Sequence, residues 1–455
     1  MISAGPVPHI APPHITFPTT GSYPAREGNR IAPLIDGVPA LRCICRAVEA
    51  ARRSVWVTVA FLAEDFRMPD GFGSLFDLLD RAAARGVDVR MLCWRPNPEG
   101  MVFGPNFPGS AENLEMLRRR GARFRIRWDR HEGTGCHHQK SWVVDAGETS
   151  EVAFVGGINL TRGANGVPGH LGAAGQFHDL YLEIAGPSAT DIHHNFVERW
   201  NDASERGRTD GVWGHVGDDD LPSPARVTAP CGKTLAQVQR TIMPGRPSSD
   251  VASGEQTIFR QYLSAIEAAR RTIYLEHQAL PVVEISAALD EALGRGVDVV
   301  LLAPPEAEAI VRSRRKEAEW GVFFERLEAL GRHANFAMAG LAAPDGAGGR
   351  RSVSVHSKVM LVDDAWGTIG SCNLHAGSLF RNTEMNVSFW DPACVRALRC
   401  ELLAEHLGEE TRHLDDRAAL ARFRRIAREN ARKRDAGDGD WQGLVFALDP
   451  AAYGK

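Results

Sequence analysis

Two stretches of the chain carry the same reactive pattern. Residues 133–147 read GTGCHHQKSWVVDAG and residues 356–363 read HSKVMLVD. His138, Lys140 and Asp145 stand at offsets of zero, two and seven, as do His356, Lys358 and Asp363, whereas His137 does not fit. A histidine and a lysine two residues apart project to one face of an extended strand, while a helix would turn them about 200° from each other. Between lysine and aspartate the residues are mostly Val, Leu, Trp and Met, which suits a buried strand with the imidazole and ammonium at its mouth. One such cluster is ordinarily a solvated loop or a core histidine. Two at matched positions point to chemistry.

Past each motif the chain supplies neutral donors and then an acid. FVGGINL contains Asn159, TIGSCNL contains Ser371 and Asn373, and Asp179 and Glu384 follow in FHDLYLEI and NTEMNVSF. Gathered in one cleft, two histidines, two lysines, these donors and two carboxylates make a phosphate-transfer apparatus with no metal or other cofactor. Lysines and neutral donors hold the non-bridging oxygens of a phosphodiester and stabilise charge developing there. One neutral imidazole attacks phosphorus, and the other, protonated, gives its proton to the leaving oxygen. With an unperturbed pKa of about 6.5, histidine serves in either state. A carboxylate on each ring's far nitrogen would fix its tautomer.

The elements that must position these groups are themselves repeated. AVEAARRSVW at 47–56 returns as AIEAARRTIY at 265–274, displaced by the same 218 residues as the two histidines, and RGVDV recurs at 85–89 and 295–299. Each half reads as an alanine-rich helix, a β-branched and aromatic strand, a second helix ending before Gly86 or Gly296, and an apolar strand covered on both faces. The fold expected is α/β, with two duplicated α/β/α sandwich lobes, mixed central sheets and a pseudo-two-fold relation. The expected divisions are an extended segment at 1–27, a first lobe at 28–200, a Gly/Pro/Asp-rich linker at 201–233, a second lobe at 234–410, and a basic helix and tail at 411–455. Four extra residues between aspartate and glycine in the first half imply a longer turn there.

At 455 residues with 44% hydrophobic and 24% charged residues, the chain has the composition of a soluble globular protein of two or three domains. A net charge of -4 disfavours a non-specific nucleic-acid binder. The first residues lack the basic and apolar regions of a secretory signal, and no run of about 18 apolar residues occurs, so a cytoplasmic protein without a membrane span is expected. The eight cysteines include no CxxC pair, which favours free thiols; only Cys43 and Cys45, a CxC, raise a metal alternative.

The doubled pattern resembles the phospholipase D superfamily, whose two H-x-K-x4-D motifs form one active site through a covalent phosphohistidine. The resemblance spans roughly 30–410. It implies His138 as nucleophile, His356 as general acid, and Asp145 and Asp363 as supports. NFVERWN (195–201), VQRTI (238–242), IYLEHQAL (273–280) and LRCELLAEHLG (398–408) resemble phosphatidylcholine-type phospholipase D, with two departures: His277 replaces an asparagine and Phe177 a tryptophan. The implied substrate is a glycerophospholipid at a membrane surface, with water or an alcohol as acceptor, handled by a monomer on the inner face of the membrane; a cardiolipin synthase-like transferase, a metal-independent nuclease and a non-catalytic relative are the alternatives. Two segments could meet lipid: the loop 97–110, with Met101, Phe103 and Phe107, and the basic segment 417–434, whose apolar stripe is read through Ala418, Ala421 and Ile426. Packing under the loop and docking of the helix on the core are the competing readings. A basic cluster at 311–320 follows a strand, where it would either flank the cleft or form a solvated helix face.

Overall fold

The computed structural model describes residues 13–96, 107–131, 135–172, 174–204, 219–244 and 253–455. In the first lobe the strands are β1 (Arg26–Ile35), β2 (Ser54–Val59), the short pair β3 (Arg67–Met68) and β4 (Gly73–Ser74), β5 (Asp88–Arg95), β6 (Arg125–Arg130), β7 (Ser141–Val144), β8 (Val152–Gly156), β9 (Phe177–His178) and β10 (Leu180–Ala185). Its helices are α1 (Gly37–Ala50), α2 (Leu75–Ala84), α3 (Ala111–Arg120) and α4 (Ala189–Asp202).

The second lobe has β11 (Thr234–Ile242), β12 (Glu255–Gln256), β13 (Thr272–His277), β14 (Asp298–Leu302), β15 (Phe336–Pro344), β16 (Arg350–Val355), β17 (Lys358–Val362), β18 (Trp366–Gly370), β19 (Glu384–Trp390) and β20 (Val445–Leu448). With them run α5 (Thr257–Ala268), α6 (Val283–Gly294), α7 (Ala309–Arg314), α8 (Gly321–Gly331), α9 (Ala376–Phe380), α10 (Pro392–Leu407) and α11 (Asp416–Asp435).

The duplication is visible strand by strand. The first lobe pairs in the order β1-β10-β8-β7-β2-β5-β6, the second in the order β11-β19-β18-β17-β13-β14-β15. In both, the first four pairings are antiparallel and the last two parallel, and a helical crossover joins each parallel pair. Arg26 and Asn29 of β1 pair with Ala236 and Thr234 of β11, so the two sheets are hydrogen-bonded into one. Helices cover both faces, and the expected α/β sandwich lobes with mixed sheets are present.

Local sequence explains the boundaries. Ser74 caps α2 by accepting from the Asp77 N–H while Asp77 bonds back to the Ser74 N–H. Gly86 and Gly296 follow the C-caps of α2 and α6 with φ of 84° and 87°, values that a residue with a Cβ reaches only under strain. The connection 145–151 between β7 and β8 is longer than 363–365 between β17 and β18, which accommodates the four extra residues.

Three large apolar clusters among the described residues hold the layers. One lies under α1 and α2 (Leu41, Ile44, Leu78, Leu79), one under α5, α6 and α8 (Ile266, Leu289, Leu327), and the third runs through both lobes, joining Leu182, Phe196, Val238, Val387, Leu402 and Phe423. Burying a side chain of this size contributes about 1.5–3 kcal/mol, so the shared cluster couples the lobes.

The C-terminal region is built into the second lobe. Helix α11 packs on β13, β14 and α10, and β20 pairs antiparallel with β15. Its buried stripe is Ala419, Leu420, Phe423, Ile426 and Ala427, with Ala418 and Ala421 exposed, which corrects the stripe read from the sequence. The bulky Leu420 and Phe423 fix the orientation, and alanines contribute too little area to oppose them. Phe107 is also buried, against Phe76 and Trp128 with ring centroids 5.3 and 5.6 Å away; Met101 and Phe103 lie outside the described residues. In the linker, residues 219–221 lie on the first lobe, where Trp200 Nε1 donates to the Asp219 carbonyl at 3.1 Å. All eight cysteines are free. Cys43 and Cys45 lie two apart on α1, Cys43 donating to Glu183 and Cys45 in the core, and burial pushes both thiols up to about 12, which disfavours the thiolate form of a metal ligand.

Candidate active site

Each motif lies at the start of a central strand. His138 and Lys140 directly precede β7, and His356 precedes β17, whose first residue is Lys358. The lobes meet through the backbone at these points. His138 N–H donates to the Thr383 carbonyl at 2.9 Å and His356 N–H to the His178 carbonyl at 2.8 Å. The residue after each acceptor is the acid of that lobe, so the strands deliver both acids to the opposite histidines.

The carboxylates are therefore crossed. His138 Nδ1 donates to Glu384 Oε2 at 2.9 Å, and His356 Nδ1 to Asp179 Oδ2 at 2.6 Å. With the proton held on Nδ1 by a carboxylate, each Nε2 keeps its lone pair available. Ser371 Oγ donates to Glu384 Oε2 at 2.5 Å. Gly157 occupies the position matching Ser371, and a Cβ there would lie 2.3 Å from Asp179 Oδ1; only glycine leaves room for the shorter acid.

Lys140 Nζ donates to the His138 carbonyl at 2.7 Å. Lys358 Nζ donates to the His356 carbonyl and to Gln278 Oε1, the latter at 3.1 Å, and Asn373 Nδ2 reaches the same oxygen at 3.5 Å. Asn159 Oδ1 and Asn373 Oδ1 are buried with no hydrogen bond among the described residues. Phe177 stacks on His356 with centroids 5.6 Å apart and an angle of 18°, and Phe61 meets His138 edge-on at 5.9 Å. These rings cover part of each imidazole.

Asp145 and Asp363 are elsewhere. Asp145 Oδ1 accepts the backbone N–H of Arg52, Arg53 and Ser54 at 2.9, 2.8 and 3.4 Å, and the Asp363 carboxylate accepts those of Arg270, Arg271 and Thr272 at 2.9, 2.8 and 2.9 Å. Each sits in a turn at positive φ, 54° and 56°, tying the end of its motif strand to the start of the neighbouring strand. His137, the other histidine of the pair, turns away, with Nδ1 2.9 Å from Thr383 Oγ1 and Nε2 3.1 Å from Asp129.

Burial dominates the electrostatics. It pushes His138 down to about 4 against the opposing pull of Glu384, and His356 down to about 4, with Lys358 adding to the shift and Asp179 opposing it. It lowers Lys140 to about 7 and Lys358 to about 8, with Glu384 and Asp179 the leading opposing charges. Glu384 is held below the usual range because His138 and Lys140 outweigh its burial. Groups of each lobe thus shift groups of the other, as one shared site requires.

Gln278 and the flanking ring Phe61 join the site with no signal in the sequence, while Phe177, the departure from tryptophan, stacks on His356. Gln278 falls in IYLEHQAL, where the pattern shows a strand end but not that its amide meets Lys358. His277, the departure from asparagine, is wholly buried and faces Tyr262 Oη at 3.4 Å, with burial pushing it down to about 3.

Two pseudo-symmetric lobes, each contributing a His-Lys pair and an acid to the other's histidine, define a duplicated phosphoryl-transfer fold. Residues 44–196 and 262–405 match the family model described as "Cardiolipin synthase, PLD-like domain". The chain belongs to the phospholipase D superfamily, and is an enzyme of its phosphatidyltransferase and phosphodiesterase kind. It is similar to Cardiolipin synthase A of Pseudomonas entomophila (strain L48), with 29% identity over 386 residues covering 83% of this chain and 68% of the relative. It is also similar to Phospholipase D alpha 2 of Oryza sativa subsp. japonica, with 26% identity over 296 residues covering 50% of this chain and 36% of the relative. The fold resembles the crystal structure of phosphatidylserine synthase from Haemophilus influenzae Rd KW20, with a TM-score of 0.56 at 12% identity over 94% of this chain and 89% of that one.

Proposed function

We propose that the protein cleaves the headgroup phosphodiester of a glycerophospholipid through a phosphohistidine and passes the phosphatidyl group to water or an alcohol. The observation carrying this reading is the crossed pairing of two Nδ1-bound histidines beside two buried lysines. His138 Nε2 forms a bond to phosphorus as the bond to the headgroup oxygen breaks, and His356 gives that oxygen a proton. His356 then takes a proton from the acceptor, whose oxygen attacks phosphorus and frees His138. Lys140, Lys358, Asn159 and Asn373 hold the non-bridging oxygens, and Asp179, Ser371 and Glu384 orient the rings.

An alcohol acceptor is the reading favoured by extent of similarity. The match to a cardiolipin synthase covers 83% of the chain, that to a plant phospholipase D 50%. A second phosphatidylglycerol as acceptor would give cardiolipin. The catalytic unit proposed is a monomer, since one chain carries both motifs, working peripherally at the inner face of the membrane; among the described residues no helix is long and apolar enough to cross it. The test incubates the protein with phosphatidylglycerol vesicles, phosphatidylcholine vesicles and single-stranded DNA, without added metal. Cardiolipin with released glycerol supports transfer, phosphatidic acid supports hydrolysis, and cleavage of the DNA alone rejects a lipid substrate.

A further inference from the structure

Behind the catalytic cleft, a second group of ionisable side chains is buried where the lobes meet. Asp36 precedes α1, His170 ends the 3-10 turn Pro168–His170, His178 lies in β9, and Glu405 comes across from α10. These residues are scattered through the chain, so no metal-ligand spacing shows in the sequence. One N or O atom from each lies within 4.8 Å of all the others. His178 Nδ1 is 3.1 Å from Asp36 Oδ1, and His170 Nε2 is 3.5 Å from Asp36 Oδ1 and 3.5 Å from Glu405 Oε1. Bonds of about 2.0–2.2 Å to a tetrahedral ion set its ligands about 3.3–3.6 Å apart. Three of the six edges lie close to those, and the others are within 4.8 Å.

The hydrogen bonding leaves the same gap. His170 is 1% exposed, yet among the described residues neither of its ring nitrogens makes a hydrogen bond, while Asp36 faces the Glu405 carboxyl, which burial and that neighbouring charge push up to about 8. A buried polar group left unsatisfied destabilises the fold. His170 reaches this position at a φ of 51°, and Gly169 before it at 78°; a strained turn places the ring. Outside the four, Glu276 Oε2 accepts from His178 Nε2 at 3.0 Å and Glu276 Oε1 accepts from Tyr274 Oη at 2.7 Å. A carboxylate on the far nitrogen is the arrangement that orients a metal-binding imidazole.

We propose that Asp36, His170, His178 and Glu405 bind a divalent transition metal of the zinc type, as a structural site joining the lobes. Two imidazoles and two carboxylates suit such an ion, and four protein ligands leave no open position for a reacting water. The His178 carbonyl holds the His356 N–H, and Asp179 is the next residue, so the ion would brace the backbone behind the second histidine. The reaction proposed above does not pass through it.

The test uses the full chain, stripped with dipicolinate and titrated with Co2+ and then Zn2+. One equivalent of Co2+ with tetrahedral visible bands, displaced by Zn2+, is expected for the wild type. Glu276→Gln should bind about 10–100-fold more weakly, and His170→Ala, checked for folding by circular dichroism, should lose stoichiometric binding. His170→Cys retains a ligand and should bind Co2+ with a thiolate charge-transfer band beyond the wild-type spectrum, which decides the matter if the alanine variant does not fold. A wild type that binds no equivalent overturns the site, as the buried imidazole of His178 would then serve only as a cation between Asp36 and Glu276. Full binding by folded His170→Ala, or Co2+ bound to His170→Cys without the new band, overturns it equally.

Discussion

Glu384 of the second lobe holds Nδ1 of His138 of the first at 2.9 Å, across 246 residues of sequence. Asp179 of the first lobe holds His356 of the second at 2.6 Å in return. Neither lobe completes its own histidine.

The two histidines should fail differently. His138→Ala removes the atom that would bond to phosphorus, so no adduct forms even from a p-nitrophenyl ester. His356→Ala should slow the natural ester on the order of 10²–10⁴-fold yet recover in part with p-nitrophenol, which departs without a proton. It also lacks the base for the second step, so phosphohistidine should accumulate on His138. Intact-mass analysis after a burst reads both. An adduct in His138→Ala and none in His356→Ala would reverse the assignment.

Both rings lie at about 4 in the free protein and are neutral near pH 7. That suits a nucleophile, but an acid needs a proton, and the charge of the bound phosphodiester supplies the reason for one to arrive. A tetrahedral oxyanion such as tungstate should therefore bind with proton uptake, seen as buffer-dependent heat in calorimetry; heats independent of buffer would refute this. The lysines set the alkaline limb. Their pKa values are depressed to about 7 and 8, so their charge is present below those values and lost as pH rises through them, and KM should climb across that range.

Asp145 and Asp363 each tie down three backbone N–H groups, and hydrogen bonds to a charged group contribute about 1.5–3 kcal/mol. Asp145→Ala and Asp363→Ala should lower the urea midpoint by a loss of that size. Among the soluble enzyme that remains, the adduct from the activated ester should still form. Full stability with lost chemistry would contradict the turn-clamp geometry.

Gly157→Ala places a carbon against Asp179. The expected result is a fall in kcat with the natural ester and a smaller fall with the activated one, because the displaced acid serves His356. Ser371→Ala removes only a hydroxyl from Glu384 and should act on adduct formation instead. Equal losses with both esters in Gly157→Ala would show that the acid did not move alone.

The motif spacing and the repeat were legible because both are local: a strand displays residues i and i+2 on one face, and a copied segment keeps its residues. The partner of each histidine was not, since Asp179 and Glu384 are assigned only by strands from opposite lobes. Gln278 was hidden because it meets Lys358 only through the pairing of β13 with β17 within the second lobe. The face of α11 was misread because small alanines at the right spacing do not outweigh Leu420 and Phe423. Asp36, His170, His178 and Glu405 come from four elements and two lobes, beyond any pattern in a window of sequence.

The crossing also has a kinetic side. During synthesis the first motif is finished long before residue 384 exists, and contacts this distant in sequence form late in folding. A nascent or half-folded chain thus holds a histidine without the carboxylate that would fix its tautomer. On the proposed reading, reactivity toward phosphodiesters waits until Glu384 is in place, and a chain cut short before it leaves His138 without its carboxylate.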